Sequence, residues 1–103
     1  MPVKTIAGVE VKVSADGYLE DMTQWNEAIA KEIATEIGIE LTPKHFEVLN
    51  YLRDKHAAGE ALTIRKVGKS GIVDIKELYV LFPKGPLKFS SQIAGIPKPT
   101  SCV

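Results

Sequence analysis

Helix-breaking and helix-capping signals recur along this chain at intervals too short for any long helix. Gly38, Gly59, Gly68, Pro83, Gly85-Pro86 and Gly95 each interrupt the backbone, while Thr23, Thr42-Pro43, Thr63 and Asp74 each offer a cap to the segment that follows. A chain cut in this way buries its apolar residues only by packing short helices across one another. The expected fold is therefore mainly α: a small orthogonal bundle of about five helices, with an N-terminal β-hairpin and an extended C-terminal arm. The chain has 103 residues, 45% of them apolar, which is enough for one core and one domain. Two parts are expected, a helical domain over 1–95 and a flexible arm over 96–103.

Within the domain, residues 5–20 read as the hairpin. Val9, Val11 and Val13 alternate with Glu10 and Lys12, and Asp16-Gly17 is the expected turn, with Tyr18 and Leu19 opening the return strand. A first helix is predicted over 24–37, with Trp25, Ala28, Ile29, Ile33, Ala34 and Ile37 on its inner face and Gly38 as its stop. A second starts at Thr42-Pro43, carries Phe46, Leu49, Leu52 and Arg53, and ends at Ala57-Ala58-Gly59. A short helix follows Thr63. The next runs over 74–81 with Ile75, Leu78, Tyr79, Leu81 and Phe82 buried, and a last one covers 86–94.

The tail is IPKPTSCV. Pro97 and Pro99 bracket Lys98, and each proline fixes φ and biases the residue before it toward extended backbone. That makes a stiff spacer whose eight residues, 96–103, reach at most roughly 26–29 Å. Cys102, the only cysteine, rides on it. One cysteine forms no internal disulfide and no multi-cysteine zinc site. Cysteine usually prefers burial, so a terminal position exposes it to chemistry. Its thiolate suits attack on a sulfane sulfur, by the exchange that operates on disulfides. The competing reading is a terminal cysteine without a role, and spacing alone leaves both open.

Several other classes find little support. Thirteen Lys/Arg and thirteen Asp/Glu balance to zero formal net charge, which disfavours direct nucleic-acid binding. No apolar run is long enough for a membrane span, and the N-terminus lacks a signal-peptide pattern, so a cytoplasmic protein is expected. His45 and His56 stand eleven residues apart, which does not suit a metal pair on one helix. No metal or cofactor is expected, nor an acid–base or nucleophile–base pair of a stand-alone catalyst.

Three stretches carry a resemblance. LFPKGPLKFSSQIAGIPKPTSCV (81–103), DGYLEDMTQW (16–25) and LTPKHFEVLNYLRD (41–54) resemble the DsrC/TusE sulfur-transfer family, and the likeness covers essentially the whole chain. It implies a cytoplasmic sulfur carrier, sulfurtransferase-like in passing on a bound persulfide. The implied donor is a relay complex of the TusBCD/DsrEFH kind, and the implied acceptor a tRNA 2-thiouridylase, as in tRNA thiolation. Cys102 would be the persulfide carrier, Pro97, Lys98 and Pro99 would position the arm, and Arg65 would give electrostatic support. The dissimilatory branch works with sulfite reductase and carries a second arm cysteine; here that position is Ser91, eleven residues before Cys102, which favours a single-cysteine, TusE-like carrier. Two alternatives stand beside it. One is a DsrC-like partner or regulatory subunit of dissimilatory sulfite reductase. The other is a helix-turn-helix DNA-binding regulator, with Arg65, Lys66 and Lys69 on phosphates but Asp74 and Glu77 opposing them.

Overall fold

A computed structural model describes residues 3–14, 17–60 and 62–97. Strands β1 (Val3–Ile6) and β2 (Val9–Lys12) pair antiparallel, in a register that sets Ile6 opposite Val9 and Val3 opposite Lys12. The turn of this hairpin is thus Ala7-Gly8, which the sequence reading did not anticipate. Ala7 and Gly8 have φ of 53° and 78°, the pair of left-handed residues that a two-residue turn of this twist demands. Alanine in that region costs on the order of 1 kcal/mol. The Ala7 amide is held there by the Glu32 carboxylate, a contact from a distant helix that no local turn signal reveals. Gly17 sits in a second small loop, where Ser14 N donates to Tyr18 O at 2.7 Å and Val13 bridges Leu19. Asp16 lies outside the described residues.

The first helix also begins later than its signals suggest. Asp21 captures Thr23, accepting from its backbone N at 2.9 Å, and a single 3-10 turn forms over Met22–Gln24. Hydrogen bonds from the Thr23 hydroxyl and then from its backbone N–H hold the Asp21 carboxyl below its ordinary value. The chain then runs extended through Trp25, and Asn26 caps α1 (Glu27–Ile37) by accepting from Ile29 N at 2.9 Å. Trp25 therefore precedes the helix, and Ala28 is exposed where burial was expected. Ile29, Ala30, Ile33 and Ala34 form the inner face, and Gly38 ends the helix at φ 97°.

Helix α2 (Pro43–Ala57) follows its signals, with Pro43 in the first turn and His45, Val48, Leu49 and Leu52 buried. Helices α3 (Ile64–Gly68) and α4 (Ile75–Leu81) are capped by Thr63 and Asp74, which accept from Lys66 N at 3.0 Å and Glu77 N at 2.7 Å. In α4 only Leu78 is buried, continued by Phe82 one turn on; Ile75 and Tyr79, expected inside, are 43% and 47% exposed. Seven residues present one narrow stripe to the core, and Leu78 and Phe82 occupy it. Ile75 and Tyr79 share the next stripe, where Ile75 lies against Gly68 of α3 and Tyr79 is exposed.

Helix α5 (Pro86–Ile93) is the hub. It touches α1, α2 and α4, and buries Pro86, Leu87, Ser90, Ser91 and Ile93. The Tyr18 hydroxyl donates to Lys88 O at 3.1 Å, which fastens the second loop to this helix. Gly95, at φ 72°, turns the chain out of α5. Ile96, assigned to the arm from sequence, is 1% exposed and belongs to the core; Pro97 is the first exposed residue after it. Among the described residues no helix is long and apolar enough to cross a membrane.

Candidate functional site at the end of the last helix

Every carbonyl in the last stretch of α5 finds a donor. Helix C-termini leave their final carbonyls without intrahelical partners. Here the chain itself satisfies three of them: Ala94 N donates to Ser90 O at 2.8 Å, Ile96 N to Ser91 O at 3.2 Å and Gly95 N to Gln92 O at 3.3 Å. The next two are met by side chains from elsewhere. Trp25 Nε1 donates to Ile93 O at 2.7 Å, and Arg53 Nη1 donates to Ala94 O at 2.9 Å. The other guanidinium nitrogen, Nη2, reaches Met22 O at 2.8 Å. Arg53 also lies over the Trp25 ring, 4.3 Å from its centroid. Such stacking adds roughly 0.5–1 kcal/mol at an exposed site and more when desolvated.

Gly95 completes this arrangement. A Cβ there would fall 2.4 Å from Trp25 Cδ1, so glycine is required by the indole as well as by the backbone angle. Burial pushes the Arg53 guanidinium below its ordinary value, opposed by the Asp54 carboxylate. It remains a cation, because guanidinium does not lose its proton in proteins.

Sequence reasoning placed Arg53 on the apolar stripe of α2 without giving it a task, and read Trp25 as core. The available signal was a cation in step with Leu49 and Leu52 at helical spacing. A charge on an inward stripe must find buried acceptors. Arg65, singled out instead, is exposed on α3, and its side chain makes no hydrogen bond or ion pair with another described residue. Of the remaining predicted site residues, Pro97 is described and exposed; Lys98, Pro99 and Cys102 lie outside the described residues.

His45 is structural. Its Nδ1 accepts from Thr42 N at 3.0 Å, which assigns the ring proton to Nε2, and Nε2 donates to Leu81 O at 2.9 Å. The ring meets Phe82 edge-on, with centroids 5.1 Å apart. Both nitrogens are thereby committed to tying α2 to the end of α4.

Ser91 is fully buried, and its hydroxyl has no hydrogen-bond partner among the described residues. A buried hydroxyl left unmatched costs about 1–3 kcal/mol. Ser91→Ala is therefore expected to hold or raise the melting temperature. A clear drop in thermal denaturation would show that the hydroxyl has a partner.

The zero net charge conceals a segregation. Residues 61–103 hold seven Lys/Arg and two Asp/Glu. Arg65, Lys66, Lys69 and Lys76 are exposed along α3 and α4, while the ion pairs among the described residues (Lys4–Glu36, Lys44–Glu47 and Lys55–Glu60) all lie in the first 60. Charge balance over the whole chain is therefore compatible with a local basic surface on α3 and α4. The carboxylate of Asp74, at the start of α4, is occupied as its cap.

Fold and site together define a small α-helical domain whose last helix is bolted at its C-terminal end, just before a proline-bracketed segment bearing the sole cysteine. The chain belongs to the family described as DsrC like protein, which it matches over residues 5–103. It is 39% identical over 104 residues to the sulfurtransferase TusE of Salmonella typhimurium, covering 93% of this chain and 95% of that one. Among solved structures it resembles Allochromatium vinosum DsrC, at 34% identity and a TM-score of 0.80 over 98% of this chain and 97% of that one. It likewise resembles the oxidized gamma-subunit of the dissimilatory sulfite reductase (DsrC) from Archaeoglobus fulgidus, at 35% identity and a TM-score of 0.80 over 99% and 100% of the two chains.

Proposed function

We propose that this protein is a sulfur-relay carrier that holds sulfane sulfur as a persulfide on Cys102. The observation that carries the reading is the extent of the family match. It runs through residue 103, so it takes in the only cysteine together with the Pro97-Lys98-Pro99 segment before it. Relatives of this length named sulfurtransferase supply the chemistry. In the forward step the Cys102 thiolate attacks the outer sulfur of a donor persulfide. A new S–S bond forms at Cys102, the donor S–S bond breaks, and the donor leaves as a thiolate. In the second step an acceptor thiolate attacks that same outer sulfur and Cys102 leaves as a thiolate. Neither step changes the overall oxidation level, so no external oxidant is needed.

The residues after Pro97 act in this reading as an arm. Cys102 stands five residues after Pro97, an upper reach of roughly 16–18 Å, sufficient to enter a cleft in a partner. Pro97, Lys98 and Pro99 set its direction, and Arg65 is a candidate for holding an anionic group on a bound partner. A relay complex of the TusBCD/DsrEFH kind is the proposed donor, with a tRNA 2-thiouridylase as the proposed acceptor in the cytoplasm. Incubation with a persulfide-charged relay complex is expected to add the mass of one sulfur atom to the peptide containing Cys102. Recovery of that peptide unmodified, with the donor still charged, would reject the reading.

A second reading is favoured by the likeness to the Archaeoglobus subunit: a partner of sulfite reductase whose arm docks without passing sulfur. Ser91 in place of a second thiol removes any intramolecular disulfide, so such a role would rest on Cys102 alone. Association with sulfite reductase that survives Cys102→Ser, with no sulfur found on the unaltered protein, would favour docking over transfer.

A further inference from the structure

We infer that Arg53 and Trp25 are positioning residues for the carrier cysteine. They clamp the end of α5 and so fix the position and direction of the backbone at residues 95–97, from which the chain continues toward Cys102. The inference rests on the carrier reading. Its basis is that the last two carbonyls of the α5 terminus, Ile93 O and Ala94 O, are claimed by Trp25 Nε1 and Arg53 Nη1, two side chains in contact with one another, the guanidinium lying over the indole. Arg53 Nη2 ties the same guanidinium to Met22 O in the 3-10 turn. One planar fork therefore joins three elements at the end of α5, a use for which lysine, a point charge without the planar fork, is no substitute. Gly95 is shut against the indole, which leaves the last turn no room to shift toward Trp25.

Most helix ends need no such fastening, since water can satisfy their carbonyls. A carrier has a particular use for it. The five residue steps from Pro97 to Cys102 can reach at most roughly 16–18 Å, and over that reach a tilt of about 10–20° at the root moves the thiol by up to roughly 3–6 Å. Displacement of a reacting atom by about 1 Å can cost on the order of a hundredfold in rate. Rigidity at the root thus matters only when Cys102 must meet a sulfur held inside another protein. It does not matter when a small donor diffuses to the thiol.

That difference supplies the test. Arg53→Lys keeps the charge and loses the fork, and Trp25→Phe keeps an aromatic ring and loses the donor to Ile93 O. Each full-length variant, with its melting temperature recorded, is loaded at a temperature well below it from two sources: sodium polysulfide and a relay protein carrying a cysteine persulfide. Loading from polysulfide is expected at the unaltered rate. Loading from the protein donor is expected to fall about tenfold or more in kcat for Arg53→Lys, and by a smaller factor for Trp25→Phe, with KM changed much less. Unchanged kcat with the protein donor for both variants would overturn the inference, as would equal losses with the two donors. If the unaltered chain takes sulfur from neither source, the carrier reading itself fails, which is a separate result.

Discussion

Cys102→Ser is expected to abolish sulfur loading from any donor. The chain has no other thiol, so no second residue can take over. A serine hydroxyl is not ionised near neutral pH and forms no persulfide, whereas a cysteine with an ordinary pKa near 8.5 is already a few per cent thiolate at pH 7. The loss should therefore reach the background of the assay and not merely a lower rate. The carrier reading puts Cys102 outside the packed core, where substitutions usually stay within about 0.5 kcal/mol, so the melting temperature should change little. Retention of loading by the variant would place the sulfur elsewhere. A large fall in stability would give Cys102 a packing role that the carrier reading does not contain.

The second large effect concerns the fold. Phe82→Ala is expected to destabilise the protein by about 3–5 kcal/mol, the usual cost of removing a buried aromatic ring. Phe82 is fully buried and takes the edge-on contact of His45, whose Nε2 bonds the neighbouring Leu81 carbonyl. A domain of this size has only about 5–15 kcal/mol in total. At roughly 4 °C or more per kcal/mol, the melting temperature should fall by more than about 10 °C. Val80→Ala provides the contrast. Val80 lies two residues away, is 71% exposed, and should be close to neutral. Similar losses for the two in urea denaturation would mean that the inward stripe of α4 has been assigned to the wrong residues.

These two residues also illustrate what local sequence can and cannot convey. The helices whose ends carry rigid chemistry were legible: Thr42-Pro43 opens α2, and Gly85-Pro86 and Gly95 bracket α5, because proline and glycine restrict the backbone wherever they stand. The β1–β2 turn was not. Ala7-Gly8 carries a weaker local signal than Asp16-Gly17, and its amide meets Glu32 on α1, a contact from outside the hairpin; the return at Leu19 expected after Gly17 is present as its bridge to Val13. The start of α1 was misread because Thr23, itself a good cap, is captured by Asp21, leaving Asn26 to begin the helix. In α4 the apolar residues outnumber the places available on so short a helix, so composition alone overfilled the core.

The site divides in the same way. Cys102 and the prolines before it are conspicuous in the sequence, since a lone thiol beside Pro-Lys-Pro is a local pattern. The fastening behind them is not local. Trp25 and Arg53 lie 68 and 41 residues from the carbonyls they hold. No periodicity joins them to α5, and only the packing of Met22, Trp25 and Ala94 around the Arg53 guanidinium reveals the connection. Arg65 drew attention as a cation within a motif, whereas Arg53, on a buried stripe, is the arginine with acceptors.

The carrier account requires sulfur to leave Cys102 as well as arrive there. The most direct measurement is to load the purified protein with radiolabelled sulfane sulfur from a charged relay complex, remove the donor, and add an acceptor 2-thiouridylase with its tRNA. The account predicts label on Cys102 at first, then its quantitative appearance in the acceptor and the tRNA as the free thiol of Cys102 returns. Label that never enters the protein, or that enters and stays on Cys102 in the presence of relay and sulfite-reductase acceptors alike, would contradict it.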